Sequence, residues 1–214
     1  MVISLNSTGV SIYALHTLKD TFMKFILASG SPYRAAQLKQ LHLEFIAKSP
    51  DIDESLVKAL TISVNEKCLE LARLKAEKVA KNYPNDLVIA GDQMGLHNNI
   101  ILDKPGNKKR AFAQLKTLQG STHQLLSSLC VHYKGKHHLH LQTNTLKMRT
   151  LTDKELEYYI DKDKPTDCAG SYKIESLGFG LFESIETSDF SSIMGLPLLK
   201  LVDILKQLEI SIYN

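Results

Sequence analysis

A chain of 214 residues, 43% of them hydrophobic, can bury one substantial core as a single large domain or two small lobes. Lysine and arginine number 26 against 23 acidic residues, and a net charge of +3 is too small and too dispersed for the basic stripe of a nucleic-acid binder. No apolar run approaches the roughly 20 residues of a membrane span, and Cys68, Cys130 and Cys168 form neither a metal-ligand pair nor a disulfide framework, which predicts a cytoplasmic protein.

In residues 1–22 Lys19 follows the apolar stretch instead of preceding it, unlike a signal peptide. A loosely ordered N-terminal extension is expected there, with Met23 an alternative start and 23–214 a single domain. Phe25, Ile26 and Leu27 predict a strand that turns through Ser29, Gly30 and Ser31 into a helix opening at Pro32 and ending near His42. Residues 44–47 return as a short strand, and Asp51, Asp53 and Glu54 form an acidic turn. Ser63 and Glu66 make a capping box for a helix to about Tyr83. Its inward stripe reads Val64, Cys68, Leu71, Ala72, Lys75, Ala76 and Val79.

Residues 87–90 are a continuous apolar run, expected as a buried central strand that ends at Gly91-Asp92-Gln93. A hairpin at Asn98-Asn99 follows, then Lys104-Pro105 and a helix from Lys108 to Leu118 closed by Gly120. Two long runs, 124–133 and 137–149, flank Lys134-Gly135-Lys136 as an antiparallel hairpin. Thr152 with Glu155 caps a helix through Ile160, and a further strand pair is expected at 172–174 and 179–185. A last helix starts at Pro197, with an apolar face of Leu198, Leu201, Val202 and Leu205. Helices on a mixed sheet make an α/β or α+β protein.

Several residues can carry chemistry. The turn at Ser29–Gly30–Ser31 is either an ordinary strand-to-helix connection or a cradle of free amides at a helix N-terminus, with Arg34 adding a cation for phosphate oxygens. Asp92, behind a glycine at the end of a buried strand, is either a turn aspartate or a general base or cation ligand. Lys75 breaks the apolar stripe, as a lysine whose amine reaches water or as an ammonium aimed into an anion pocket. Lys104 is held extended before Pro105. The acidic turn is either solvated or brings one carboxylate to a metal–phosphate site. His132, His137, His138 and His140 lie in an expected exposed hairpin with no acid beside them, a poor metal set. Gly178 and Gly180 lack the βαβ unit of a dinucleotide loop.

Ser29-Gly-Ser-Pro-Tyr-Arg34, Asp53-Glu54, Ala72-Arg-Leu-Lys75-Ala76, Gly91-Asp92, Lys104-Pro105, Gly120-Ser-Thr-His123, Cys168-Ala-Gly-Ser-Tyr-Lys173 and Met194-Gly-Leu-Pro197 stand in order along the chain. Together they resemble the Maf family of nucleoside triphosphate pyrophosphatases, over nearly all of 23–208. The resemblance implies a twisted mixed sheet in two lobes around a central cleft, an inosine-triphosphatase-like arrangement. It implies hydrolysis of a nucleoside triphosphate to monophosphate and diphosphate with Asp92 as proton acceptor. Ser29, Ser31, Arg34, Glu54, Lys75 and Lys104 would bind the substrate, the serines and cations at its phosphates. A divalent cation, Mg²⁺ or Mn²⁺, would assist, with Glu54 and Asp92 as candidate ligands, and the family often forms homodimers.

Tyr33, Gln93 and Glu175 stand where the pyrimidine-acting branch carries Arg, Thr and Gln, and resemble the branch acting on 7-methyl-GTP. Methylation at N7 makes guanine cationic, so an aromatic face attracts it by about 0.5–2 kcal/mol. Glu175 can accept from the guanine N1 and N2 donors, whereas a pyrimidine carbonyl would meet repulsion. The commoner Gly-Ala-Asp order is replaced by Ala90-Gly91-Asp92, and Leu126-Ser127 stands where many relatives carry Thr. The alternatives are a dTTP/UTP pyrophosphatase of the same family, a nucleotide-binding regulator of cell division without turnover, and a bare interaction protein.

Overall fold

The structure, a computed structural model, describes residues 23–213; the extension expected over 1–22 lies outside them. Seven strands form one mixed sheet: β1 Phe25–Leu27, β2 Phe45–Ala47, β3 Leu87–His97, β4 Ile100–Leu102, β5 Thr122–Tyr133, β6 Lys136–Met148 and β7 Phe182–Glu186. Their order is β2-β1-β3-β5-β6-β7, with β4 also paired to β3. β1 runs parallel to β2 and β3, and the other pairs are antiparallel. Six helices flank the sheet: α1 Pro32–Gln40, α2 Glu54–Lys58, α3 Val64–Ala80, α4 Lys108–Leu118, α5 Asp153–Asp163 and α6 Leu198–Gln207.

Local signals set most of these boundaries. Ser63 Oγ accepts from the Glu66 amide while Glu66 Oε2 accepts from the Ser63 amide, so α3 starts on a complete capping box. Thr152 and Glu155 do the same for α5. Asn98 and Asn99, like Lys134 and Gly135, all have positive φ, as two-residue hairpin turns matching the sheet twist require. The buried side of α3 is the stripe the periodicity predicts, Lys75 included.

Three expectations give way to longer-range packing. β3 does not end at Ala90 but continues to His97, because its antiparallel ladder with β5 runs unbroken from Val88 to Leu96. Gly91 marks close approach, not a turn: a Cβ there would lie 2.8 Å from the Ser128 carbonyl oxygen. Residues 172–174 pair with no strand among the described residues. They follow a 3-10 turn at Ala169–Ser171, and a second such turn at Leu177–Leu181 delays β7 until Phe182. The acidic turn opens α2, with Asp53 Oδ1 accepting from the Ser55 amide. In α6, Ile204 is buried where Val202 was expected inward.

Apolar packing divides into two regions along the sheet. Under α4 and α5, Leu115, Leu125, Leu146, Leu156 and Phe182 form one core. Around β1, α1 and α6, Leu27, Leu38, Ile89, Leu129 and Leu201 form another, while Ala72 and Ala76 of α3 cover Val88 and Ala90 on the opposite face. These are the two lobes. One edge of β3 is shared between them: Leu87–Ile89 pairs with β1 and Gly95–His97 with β4, and residues 90–94 between them pair with no strand on that edge among the described residues. The cleft opens at this gap.

Candidate active site

Asp92 sits in the middle of the gap. Alternation along β3 sends its side chain to the same face as Val88 and Ala90, toward α3, and the buried stripe of α3 delivers Lys75 to meet it. Lys75 Nζ lies 2.6 Å from Asp92 Oδ1 and 2.6 Å from Glu54 Oε1. Lys75 and Asp92 are buried, and Glu54 is half-exposed at the start of α2. Burial pushes the Asp92 carboxyl up from its ordinary range, and the charges of Lys75 and Arg34 offset only part of that push. Burial also acts to raise Glu54, but the Lys75 hydrogen bond and the charges of Lys75, Lys58 and Lys104 hold it below the usual carboxylate range.

The strand-to-helix turn forms the adjoining wall. Ser31 is the N-cap of α1, yet its hydroxyl makes no capping hydrogen bond, so the first-turn amides are not occupied by that side chain. Ser29 Oγ accepts from the Ser31 amide at 3.1 Å and from Arg34 Nη1 at 3.2 Å. Arg34 Nε donates to the Gly195 carbonyl at 3.2 Å. The guanidinium is therefore locked in place beside Asp92.

A third wall holds Tyr33, Gln93 and Glu175. Gln93 Nε2 donates toward the carbonyls of Ser192 (3.1 Å) and Ile193 (3.0 Å) and toward Ser127 Oγ (3.1 Å). Carbonyls accept only, so the amide is fixed with its oxygen as the end available to a ligand. Ser127 in turn donates to the Ser192 carbonyl at 2.7 Å. Tyr33 donates to Asp167 Oδ2 at 3.3 Å; burial first, then Cys168 and Asp167, raise its hydroxyl above the ordinary tyrosine range. Glu175 is exposed on the cleft rim.

The ten residues the resemblance gives catalytic, binding or specificity roles, namely Ser29, Ser31, Tyr33, Arg34, Glu54, Lys75, Asp92, Gln93, Lys104 and Glu175, line this one cleft of about 820 Å³. Lys75 is not a free ammonium aimed at an anion pocket, however; both its near neighbours are carboxylates. Sequence reasoning missed Asp167, and it gave no role to Cys168 and Tyr172, which it quoted in a motif and which also line the cleft, nor foresaw the bond from Gln93 to Ser127. Asp167 directly precedes the Cys168–Lys173 segment, a signal that was available.

The histidines are elsewhere, on the β5–β6 hairpin. They are half-buried where exposure was expected, and Glu77 of α3 comes within 3.5 Å of His137 Nε2 although no acid is near in sequence. Among the described residues no group of three or more His, Cys, Asp or Glu is arranged to hold a metal. Glu54 and Asp92 supply two hard carboxylates, which suits an ion such as Mg²⁺ that is held mainly by substrate phosphates and water.

The family model described as "Maf-like protein" matches residues 24–208. The chain belongs to this family. This Maf-like chain is 40% identical over 189 residues to the 7-methyl-GTP pyrophosphatase of Pseudomonas savastanoi pv. phaseolicola, covering 87% of this chain and 97% of that one. It is 39% identical over 183 residues to the 7-methyl-GTP pyrophosphatase of Saccharophagus degradans, covering 85% and 92%. The protein of that name from Pseudomonas aeruginosa is 40% identical over 182 residues, covering 84% and 94%. A distant likeness is to a solved HAM1 protein from Coxiella burnetii, at a TM-score of 0.44 and 10% identity, over 86% of this chain and 99% of that one.

Proposed function

We propose that this chain hydrolyses 7-methyl-GTP to 7-methyl-GMP and diphosphate. The observation that carries the reaction is the buried Asp92 carboxylate held 2.6 Å from Lys75 in a cleft lined by helix-terminal amides and Arg34. Water attacks the α–β anhydride, its proton passes to Asp92, the P–O bond breaks and diphosphate leaves. A base with a raised pKa is better matched to neutral pH than an ordinary carboxylate. Lys75 keeps that base ionised at rest and orients it. The amides at Ser29–Ser31, with Arg34 and Lys104, take up phosphate charge. A divalent cation, for which Glu54 or Asp92 is the candidate ligand, would supply further neutralisation of the triphosphate.

The names of the relatives and the third wall support the substrate. Tyr33 offers an aromatic face to a cationic base, and Gln93 Oε1 and Glu175 are both acceptors, matching the N1 and N2 donors of guanine. All these groups come from one chain. Among the described residues no helix is long and apolar enough to cross a membrane, and the three cysteines are unpaired, which supports a cytoplasmic setting.

Diphosphate release from a panel of 7-methyl-GTP, GTP, UTP and dTTP, with and without Mg²⁺, tests the reading. The expected result is preference for 7-methyl-GTP, with Asp92→Asn slowed at least on the order of a hundredfold while it still binds nucleotide. Equal rates from wild type and Asp92→Asn would remove Asp92 as the base. Binding without release from the wild type would favour the non-catalytic regulator.

A further inference from the structure

Tyr33 carries a cation on one side already. Lys173 Nζ lies 5.7 Å from the centroid of its ring, yet among the described residues lining the cleft Lys173 does not appear, whereas Tyr33, Asp167 and Cys168 do. The backbone that carries this ammonium is pinned. The Lys173 amide donates to the Tyr159 hydroxyl at 2.9 Å, and its carbonyl packs so closely on Gly178 that a Cβ there would lie 2.1 Å away.

A ring with an ammonium already over it is a poor seat for a second cation. The two charges, about 9 Å apart for a stacked base, repel through the ring by an amount worth roughly 2- to 20-fold in affinity between the water and protein-surface dielectrics. Asp167 answers that charge. Its Oδ1 lies 3.8 Å from Lys173 Nζ, and its Oδ2 accepts from the Tyr33 hydroxyl at 3.3 Å.

We propose that Asp167 is a specificity-determining residue for the cationic base. It cancels the Lys173 ammonium and steadies Tyr33, so that the cleft face of the ring attracts a positively charged purine. This rests on the reading of the chain as a 7-methyl-GTP pyrophosphatase. Asp167 touches Tyr33 and not the reacting phosphates, so its removal acts on substrate choice and not on the chemical step. A neutral guanine feels little of the effect.

The test is KM and kcat for 7-methyl-GTP and for GTP in wild type, Asp167→Asn, Lys173→Gln and the double variant. Asp167→Asn is expected to raise KM for 7-methyl-GTP roughly 2- to 20-fold, with kcat and the GTP constants unchanged. Adding Lys173→Gln to it should restore the preference, since the uncompensated cation is then gone. Lys173→Gln alone leaves Asp167 unopposed and should sharpen the preference, which keeps the proposal testable even if Asp167→Asn does not fold. Loss of both substrates alike, or no rescue in the double variant, would mean a merely structural role. A wild type without preference for 7-methyl-GTP overturns the functional reading itself. A wild type that shows the preference while Asp167→Asn retains it overturns only the part given to Asp167.

Discussion

Replacing Lys75 by Met removes the only ammonium seen within 4 Å of either Asp92 or Glu54 among the described residues. Asp92 is left as a buried carboxylate with Arg34 as its remaining nearby cation. Breaking a buried pair in this way ordinarily costs about 3–5 kcal/mol. Here the loss is bounded, because Asp92 can escape by taking a proton. Protonating a carboxyl of ordinary pKa near 3.9 at pH 7 costs about 4 kcal/mol at 1.36 kcal/mol per unit, so the destabilisation lies at or below that figure. The Glu54 half adds little, since its side chain is 42% exposed and water screens it.

The bound also fixes a pH dependence. With its folded-state pKa raised, Asp92 contributes stability that is full below its unfolded pKa and is lost as pH rises through the folded value. Deleting Lys75 raises that folded value further. Glu54, lowered in the wild type by Lys75 among other charges, contributes stability above its ordinary pKa that the variant forfeits. The Asp92 effect widens the gap between variant and wild type as pH rises through its raised folded value, by at most about 1.4 kcal/mol per unit, whereas the Glu54 part is complete once pH passes its ordinary pKa. Urea unfolding of both proteins at about pH 5, 6, 7 and 8 measures it, and the acid limb of kcat/KM in the variant should move to higher pH. A gap that stays constant over that range, with the acid limb unmoved, refutes the coupling of Lys75 to Asp92.

Gly91→Ala should lower the urea midpoint by about 1–3 kcal/mol of stability, because the new Cβ would meet the Ser128 carbonyl at 2.8 Å and Leu196 Cδ2 at 2.9 Å; an unchanged midpoint would show that the ladder yields. Ser63→Ala removes the cap of α3 at an exposed position and should cost about 1 kcal/mol while kcat/KM stays at the wild-type value. Glu175→Gln combined with Tyr33→Arg should move the UTP to 7-methyl-GTP ratio of kcat/KM on the order of tenfold toward UTP, since Gln can donate to a pyrimidine carbonyl where Glu cannot. An unmoved ratio would detach these two residues from base selection.

What the sequence exposes and what it conceals divide along a physical line. Caps, turns and periodicity are written within a few residues, so the capping boxes at Ser63 and Thr152, the turn at Lys134-Gly135 and the intrusion of Lys75 into an apolar stripe are all legible in order. Strand pairing is not local. Gly91 reads as a chain-turning residue until β5 is seen lying against it, and residues 172–174 read as a strand until no partner is found beside them. The same limit explains why the bond from Gln93 to Ser127, 34 residues on, and the place of Asp167, 134 residues from Tyr33, are not legible in the sequence.

Lys75 shows how a local anomaly and a non-local geometry combine. The stripe of α3 alone leaves its amine free to reach water, and the strand alone leaves Asp92 as a turn aspartate. The gap in pairing between β1 and β4 changes both readings, because it exposes one edge of β3 at residues 90–94 to the cleft while α3 still covers the face that carries Asp92. A carboxylate in that position is covered by the helix yet lines the cleft, and an ammonium from the covering helix is a counter-ion that needs no solvent access. A cation inside the fold favours the charged form of Asp92 against the burial that opposes it. An apolar residue at 75 would keep the helix and lose that counter-ion, which the pH dependence of the Lys75→Met variant is positioned to reveal.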